Sequence, residues 1–197
     1  MKTIFRRLFA GAFIAGISYP VLAISPLYAQ EAPDSIGKVA RIVVSIEKQE
    51  LYTLNHQGDT LNTYPCSTSK YGTGNRQNSN KTPLGIHRIA DKRGEGKPLG
   101  AIFKAKIYTG KQAEIIQSPV STGQDYVTTR IMHLEGIEPG INKGEGIDSF
   151  RRYIYIHGTP EEGLIGTPAS HGCVRMKNED VVHLYDRVSV GTIVEIR

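Results

Sequence analysis

Over most of this chain the apolar and polar positions alternate with the two-residue period of strands. Ala40 to Ser45 is an apolar run around Ile42, Val43 and Val44. Leu51-Tyr52-Thr53-Leu54 alternates, and the cluster Asn55-His56-Gln57-Gly58-Asp59 that follows predicts a hairpin turn. Thr60 to Ser67 is the returning strand, and Pro83 to Ile89 alternates again. Thr128 to Leu134 and Arg152 to Ile156 predict two more strands, and Gly191 to Ile196 closes the chain. One helix is predicted. Asn178 is its N-cap, Glu179 and Asp180 suit the first turn, and Val181, Leu184, Tyr185 and Val188 fall at i, i+3, i+4 and i+7. Gly191 ends it. Asp91 to Gly100 and Gly136 to Asp148, rich in Gly, Lys and Glu, read as exposed loops. Short strands, Gly-rich turns and one helix predict a mainly β, β-sandwich-like domain with one flanking helix near the C-terminus.

The N-terminal residues have a different pattern. Lys2, Arg6 and Arg7 precede a mostly apolar stretch from Leu8 to Ala23, and Leu27-Tyr28-Ala29 offers a small residue at a cut. This predicts a signal peptide over 1–29, a short lead-in over 30–38 and one domain over 39–197. Gly11, Gly16, Ser18 and Pro20 interrupt the apolar stretch, which is short for a membrane span, so no stable membrane anchor is expected. The formal charge is +5, and Lys2, Arg6 and Arg7 would leave with the signal. No basic run or stripe marks the rest, so nucleic acid is not an expected partner.

The chemistry concentrates in Ser170-His171-Gly172-Cys173-Val174-Arg175-Met176 and, upstream, His157-Gly158-Thr159. A thiolate attacks and a thiol does not, so a nucleophilic Cys173 needs a base within reach. Two histidines qualify. His171 is two residues away, and His157 ends an apolar strand, a rigid mount for a base. Gly172 lets a carbonyl approach the backbone closely, and the N–H groups of Gly172 and Cys173 are candidate oxyanion donors. Arg175 either binds a substrate carboxylate or braces the loop. Ser170 is placed to fix the histidines by hydrogen bonding, and Thr159 to shape a turn.

These residues resemble the catalytic domain of the L,D-transpeptidases, the cysteine enzymes that remodel bacterial peptidoglycan. Ser67-Thr68-Ser69-Lys70-Tyr71-Gly72 and Thr82-Pro83-Leu84-Gly85 extend the resemblance over much of 42–197. The resemblance implies a fold of the predicted kind with a flap over the active site; either Gly-rich loop is a candidate for it, the alternative being that both are ordinary solvated loops. It implies that His157 is the base, that the carbonyl of Gly158 orients its ring, and that His171 supports the site. It implies that Cys173 forms a thioester with a peptidoglycan tetrapeptide stem and releases D-alanine. An acceptor amine then gives a 3-3 cross-link or attaches an outer-membrane lipoprotein. Water as acceptor gives a carboxypeptidase, and the reverse reaction releases lipoprotein. A periplasmic location, no cofactor and no metal are implied.

Other readings use the same residues. Ser67-Thr68-Ser69-Lys70 matches the S-x-x-K pattern of serine acyl-enzymes, but without its partner elements. His157, His171 and Cys173 are also zinc-ligand types, with Glu161, Glu162 or His133 as a fourth, although no H-E-x-x-H spacing supports a zinc peptidase. A wall-binding protein without activity would need no histidine near its cysteine. Cys66, in a strand-like stretch, reads as a buried apolar residue, and a reversible Cys66–Cys173 bond is the redox alternative.

Overall fold

The structure, a computed structural model, describes residues 38–197. The expected signal peptide, and the lead-in up to residue 37, lie outside the described residues.

The described chain is mainly β. Strands β1 (Arg41–Ser45), β2 (Glu50–Leu54) and β3 (Thr60–Ser67) form a meander, and β4 (Gly85–Arg93) follows a long connection. β5 (Ala101–Lys104) and β6 (Ile107–Gln112) make a hairpin before the long β7 (Val127–Gly136). β8 (Tyr155–Gly158), a 3-10 turn at Glu162–Leu164, β9 (Val174–Met176), helix α1 (Asn178–Arg187) and β10 (Ile193–Ile196) complete the order.

Hydrogen bonding runs β4-β10-β1-β2-β3-β9-β8-β7, and β4 also pairs with β7. The sheet therefore closes on itself, with the β5–β6 hairpin continuing beyond β7. β1–β10 and β8–β9 are parallel, and the other pairs are antiparallel. Closure pairs β4 with β7 and so leaves neither as a free edge, while β6 remains an edge strand. Ile42, Val44, Leu51, Ile89, Leu134, Ile156 and Val174 fill the interior together with Val181 and Leu184 of the helix. A smaller cluster of Ala101, Phe103, Ile131 and Tyr155 lies under the hairpin.

Most predicted strands are present, and three boundaries carry information. The strand expected from Arg152 begins at Tyr155 instead, because the chain is still turning: Tyr153 has φ 56°, and Ile154 N–H donates to Ser149 O. The helix N-cap is Lys177, not Asn178, and its side chain makes no capping bond; Glu162 Oε1 accepts from Asn178 N–H at 2.8 Å instead. Asn178 is already helical, and its side-chain amide bonds to neighbouring elements. Its Oδ1 accepts from the hydroxyls of Thr128 and Thr129, and its Nδ2 donates to Thr159 O at 2.8 Å and Glu162 Oε1 at 2.7 Å. The helix ends at Arg187, before Gly191, where Lys92 Nζ donates to the carbonyls of Tyr185 (2.7 Å) and Val188 (2.6 Å). A cation on these last carbonyls also complements the helix dipole. One face of the barrel thus holds both ends of the helix, and the helix follows directly on the cysteine segment.

Candidate active site

In the parallel pair β8–β9, Ile156 lies opposite Val174 and His157 opposite Arg175. This register brings two segments sixteen residues apart in the sequence to adjacent strands. Cys173 stands immediately before β9. Its Sγ accepts from Tyr155 N–H at 3.3 Å and directs its S–H toward Tyr153 O at 3.5 Å. The half-buried thiol packs against the cluster under the hairpin.

His157 is 1% exposed. Its Nδ1 lies 2.7 Å from Gly158 O, a carbonyl that can only accept, so Nδ1 carries the proton and Nε2 is the basic nitrogen. Gly158 has no room for a side chain: a Cβ there would stand 2.6 Å from Asn178 Oδ1 and 2.9 Å from Thr128 O. Burial lowers the His157 pKa to about 4, against the opposing charge of Asp125 and the bond to Gly158. Burial raises the Cys173 thiol to about 12, with the Tyr155 N–H and the charges of Arg175 and Arg152 pulling the other way. The resting pair is a neutral thiol and a neutral imidazole.

Gly172 has φ 124°, a backbone conformation that residues with a side chain rarely adopt, and a Cβ there would lie 3.3 Å from Lys81 O. Its N–H donates to Ser170 Oγ at 3.2 Å, and that hydroxyl donates to Cys173 O at 2.6 Å. The Gly172 N–H is therefore engaged within the loop. Ser170 and Thr159 are both buried. Ser170 N–H reaches Thr68 O at 3.0 Å, and Thr159 Oγ1 accepts from Glu161 N–H at 3.2 Å. These contacts brace the loop from inside.

Arg175 is also occupied. It is 2% exposed, and its Nη1 donates to Glu161 Oε2 at 2.9 Å. Its Nε donates to Asp125 Oδ1 at 2.9 Å, and its Nη2 donates to the same oxygen. Asp125 also accepts from His171 Nδ1 at 2.8 Å. Burial pushes the Asp125 carboxyl up, but the charge of Arg175, that of His157 when it is protonated, and the bonds from Arg175 and His171 outweigh it and hold it below the ordinary range. Burial likewise opposes ionisation of Glu161, and bonds from Thr122 together with Arg175 overcome it. Of the two roles open to Arg175, this geometry is the brace.

Sequence reasoning missed Asp125 altogether. It sits in the polar connection 113–126 between β6 and β7, which no local pattern ties to the cysteine motif. That connection, rather than either Gly-rich loop, supplies the contacts to His171 and Arg175, and Glu161 fastens it further through Thr122 N–H (2.5 Å) and Thr122 Oγ1 (2.8 Å).

The residues raised by the other readings are engaged elsewhere. Ser67 ends a strand, not a helix start, and its hydroxyl donates to Leu164 O at 2.9 Å. His133 stacks on Phe150 with ring centroids 4.0 Å apart. Among the described residues no three His, Cys, Asp or Glu side chains converge as metal ligands. Cys66 is fully buried in the main core and Cys173 lies against the smaller cluster, both as free thiols.

The family model of the L,D-transpeptidase catalytic domain, YkuD, matches residues 39–196. The chain belongs to the L,D-transpeptidase catalytic-domain family. It is similar to the probable L,D-transpeptidase ErfK/SrfK of Escherichia coli (strain K12), with 27% identity over 164 residues, 83% of this chain and 45% of that protein. The chain thus spans less than half the length of that relative. Over 41 residues it is 51% identical to the putative L,D-transpeptidase YqjB of Bacillus subtilis (strain 168), 21% of this chain and 23% of that protein. Among solved structures, the LD transpeptidase LdtMt1 in complex with imipenem aligns with a TM-score of 0.48 and 19% identity, over 81% of this chain and 59% of that one. Among the described residues no helix is long and apolar enough to cross a membrane.

Proposed function

We propose that the protein is a periplasmic peptidoglycan L,D-transpeptidase that works through a Cys173 thioester, with His157 as base. The observation that carries this reading is the orientation of His157. Its Nδ1 proton is held by Gly158 O, which commits Nε2 to the basic role, and the β8–β9 register places this histidine on the strand beside the cysteine segment.

In the donor half-reaction His157 Nε2 takes the proton of Cys173 Sγ. The sulfur attacks the carbonyl that joins the third residue of the stem, a diamino acid, to the terminal D-alanine. Both resting groups are neutral, so proton transfer accompanies the attack rather than preceding it. The carbonyl oxygen becomes an oxyanion. Because Gly172 N–H is held by Ser170, the reading relies on Cys173 N–H as its donor. When the C–N bond breaks, His157 returns the proton to the leaving amine, and D-alanine departs from a thioester. An acceptor amine then attacks the thioester, gives its proton to His157 and restores the thiol.

His171 does not compete for the role of base in this scheme. Its Nδ1 is tied to Asp125, and it steadies the loop that carries the nucleophile.

The test is mass spectrometry of products from a purified disaccharide-tetrapeptide, with Cys173→Ala alongside. D-alanine released by the wild type alone supports the reading. A dimer names a stem amine as acceptor, a tripeptide monomer names water, and lipoprotein-linked product names a lipoprotein lysine. Release by Cys173→Ala at the wild-type rate would sink the cysteine mechanism.

A further inference from the structure

Two arginines act on the nucleophile electrostatically, and only one of them is neutralised. Arg175 faces Asp125 and Glu161. Arg152, in the turn before β8, donates Nη1 to Gly74 O at 3.0 Å and Nη2 to Lys81 O at 2.5 Å. Both acceptors are uncharged carbonyls. None of the ion pairs among the described residues includes Arg152. A guanidinium has five N–H donors, and these two bonds leave others for a ligand.

Arg152 is also pinned at the reacting centre. Lys81 O, which holds its Nη2, is the backbone atom that crowds Gly172. One residue further along the chain, Tyr153 O receives the S–H of Cys173. The positive charge is felt at the sulfur, where it favours the thiolate.

A cavity of about 220 Å³ opens here, lined by Asn78, Asn80, Arg151, Arg152, Tyr153 and His171 among others. Three of these wall residues have left-handed backbone without being glycine: Asn78 (φ 61°), Asn80 (φ 56°) and Tyr153 (φ 56°). Tyr153 is the costly one, because a bulky residue seldom adopts this conformation, and strain of this kind collects where a ligand is gripped. The volume is below the usual range for a drug-sized ligand and suits a single small residue.

We propose that this cavity is the subsite for the terminal carboxylate of the donor peptide, with Arg152 as its anchor. The inference rests on the thioester reading and sharpens it. A planar anion with two oxygens matches the free guanidinium donors, and the Asn78 and Asn80 amides supply neutral donors beside it. The scissile bond is then the one that carries a free C-terminal residue, and the enzyme trims single terminal residues rather than cutting within a peptide. Arg175 cannot serve, since its charge is already answered by two carboxylates.

The test compares kcat/KM for a disaccharide-tetrapeptide with that for its C-terminal carboxamide, for wild type, Arg152→Gln and Arg152→Lys. The wild type should prefer the free acid by at least about tenfold, the value of a hydrogen-bonded charge. Arg152→Gln should slow both substrates, because the charge that favours the thiolate is lost, but the acid much more than the amide, so that the preference disappears, and Arg152→Lys should keep part of it. Melting temperature and the rate of Cys173 alkylation check that the variants remain folded around the site. Equal wild-type turnover of acid and amide would overturn the subsite and leave the thioester reading intact. An Arg152→Gln enzyme that loses both activities with its preference unchanged would also overturn it. Release of no terminal residue from either substrate by the wild type would sink the thioester reading itself.

Discussion

Replacing Asp125 with alanine tests how the two halves of the site are held together. The Arg175 guanidinium is 2% exposed, and Asp125 accepts two of its bonds while Glu161 accepts a third. Removing one partner of a fully buried pair costs about 3–5 kcal/mol. The Asp125 side chain is 29% exposed, however, and Glu161 remains, so water can take up part of the lost bonding. We therefore expect a loss of about 2 kcal/mol for Asp125→Ala, and about 1 kcal/mol for Asp125→Asn, which keeps one acceptor oxygen. For a domain of this size 2 kcal/mol corresponds to a melting point lowered by about 4–8 °C.

The assay is a double-mutant cycle in urea with Arg175→Met. Without the guanidinium, Asp125 has much less to lose, so the two changes should be non-additive by more than about 1 kcal/mol. Additivity within about 0.5 kcal/mol would refute the brace. The pH dependence gives a second check with a definite sign. The folded-state pKa of Asp125 lies below its unfolded value, so its stabilisation is complete above about pH 5 and is lost as pH falls through the folded value. The gap between wild type and Asp125→Ala should therefore narrow in acid. A gap that widens in acid would contradict the assignment.

Two further outcomes follow from the same geometry. With the thiol raised to about 12 and His157 lowered to about 4, alkylation of Cys173 by iodoacetamide should climb about tenfold per pH unit from pH 6 to 9. A plateau below pH 8, read by peptide mapping, would mean a resting thiolate and contradict the neutral pair. Asn178→Ala should cost about 3 kcal/mol in chemical denaturation, because it removes four side-chain hydrogen bonds, three of them buried, that join the helix to β7 and to the turn after β8. A loss below about 1 kcal/mol would show that this hub is dispensable.

What the sequence revealed depended on how local each signal was. β1, β2 and β3 announce themselves because each buries one face and the turn at Asn55–Asp59 sits between two of them. The helix does so because Val181, Leu184 and Tyr185 repeat at its period. β6 does not, since Ile107–Gln112 is an exposed edge strand containing Gly110, with no buried face to impose alternation. β9 is three residues long and is hidden inside the catalytic motif. Cys173, His157 and His171 stood out as candidates because the chemistry of a thiol demands those residue types nearby. Asp125 was not, because it meets its partners 46 and 50 residues away in the sequence, and only the closed sheet brings them together. Arg175 shows the same limit from the other side. A sequence displays a charge, but the packing decides which acids answer it.

The parallel pairing of β8 and β9 has a consequence for how this chemistry can be rearranged. Neighbouring strands stand about 4.8 Å apart whatever the length of chain that joins them. The connection from Gly158 to Cys173 comes to the surface at Gly166, Thr167 and Pro168, all exposed. Residues added between Thr167 and Pro168 would lengthen the excursion without moving either strand. The fold therefore tolerates a different count of residues between His157 and Cys173 without changing how their strands pair. The same break point offers a place to divide the protein into two polypeptides, one with His157 and one with Cys173, which on the proposed mechanism are inert until the strands pair.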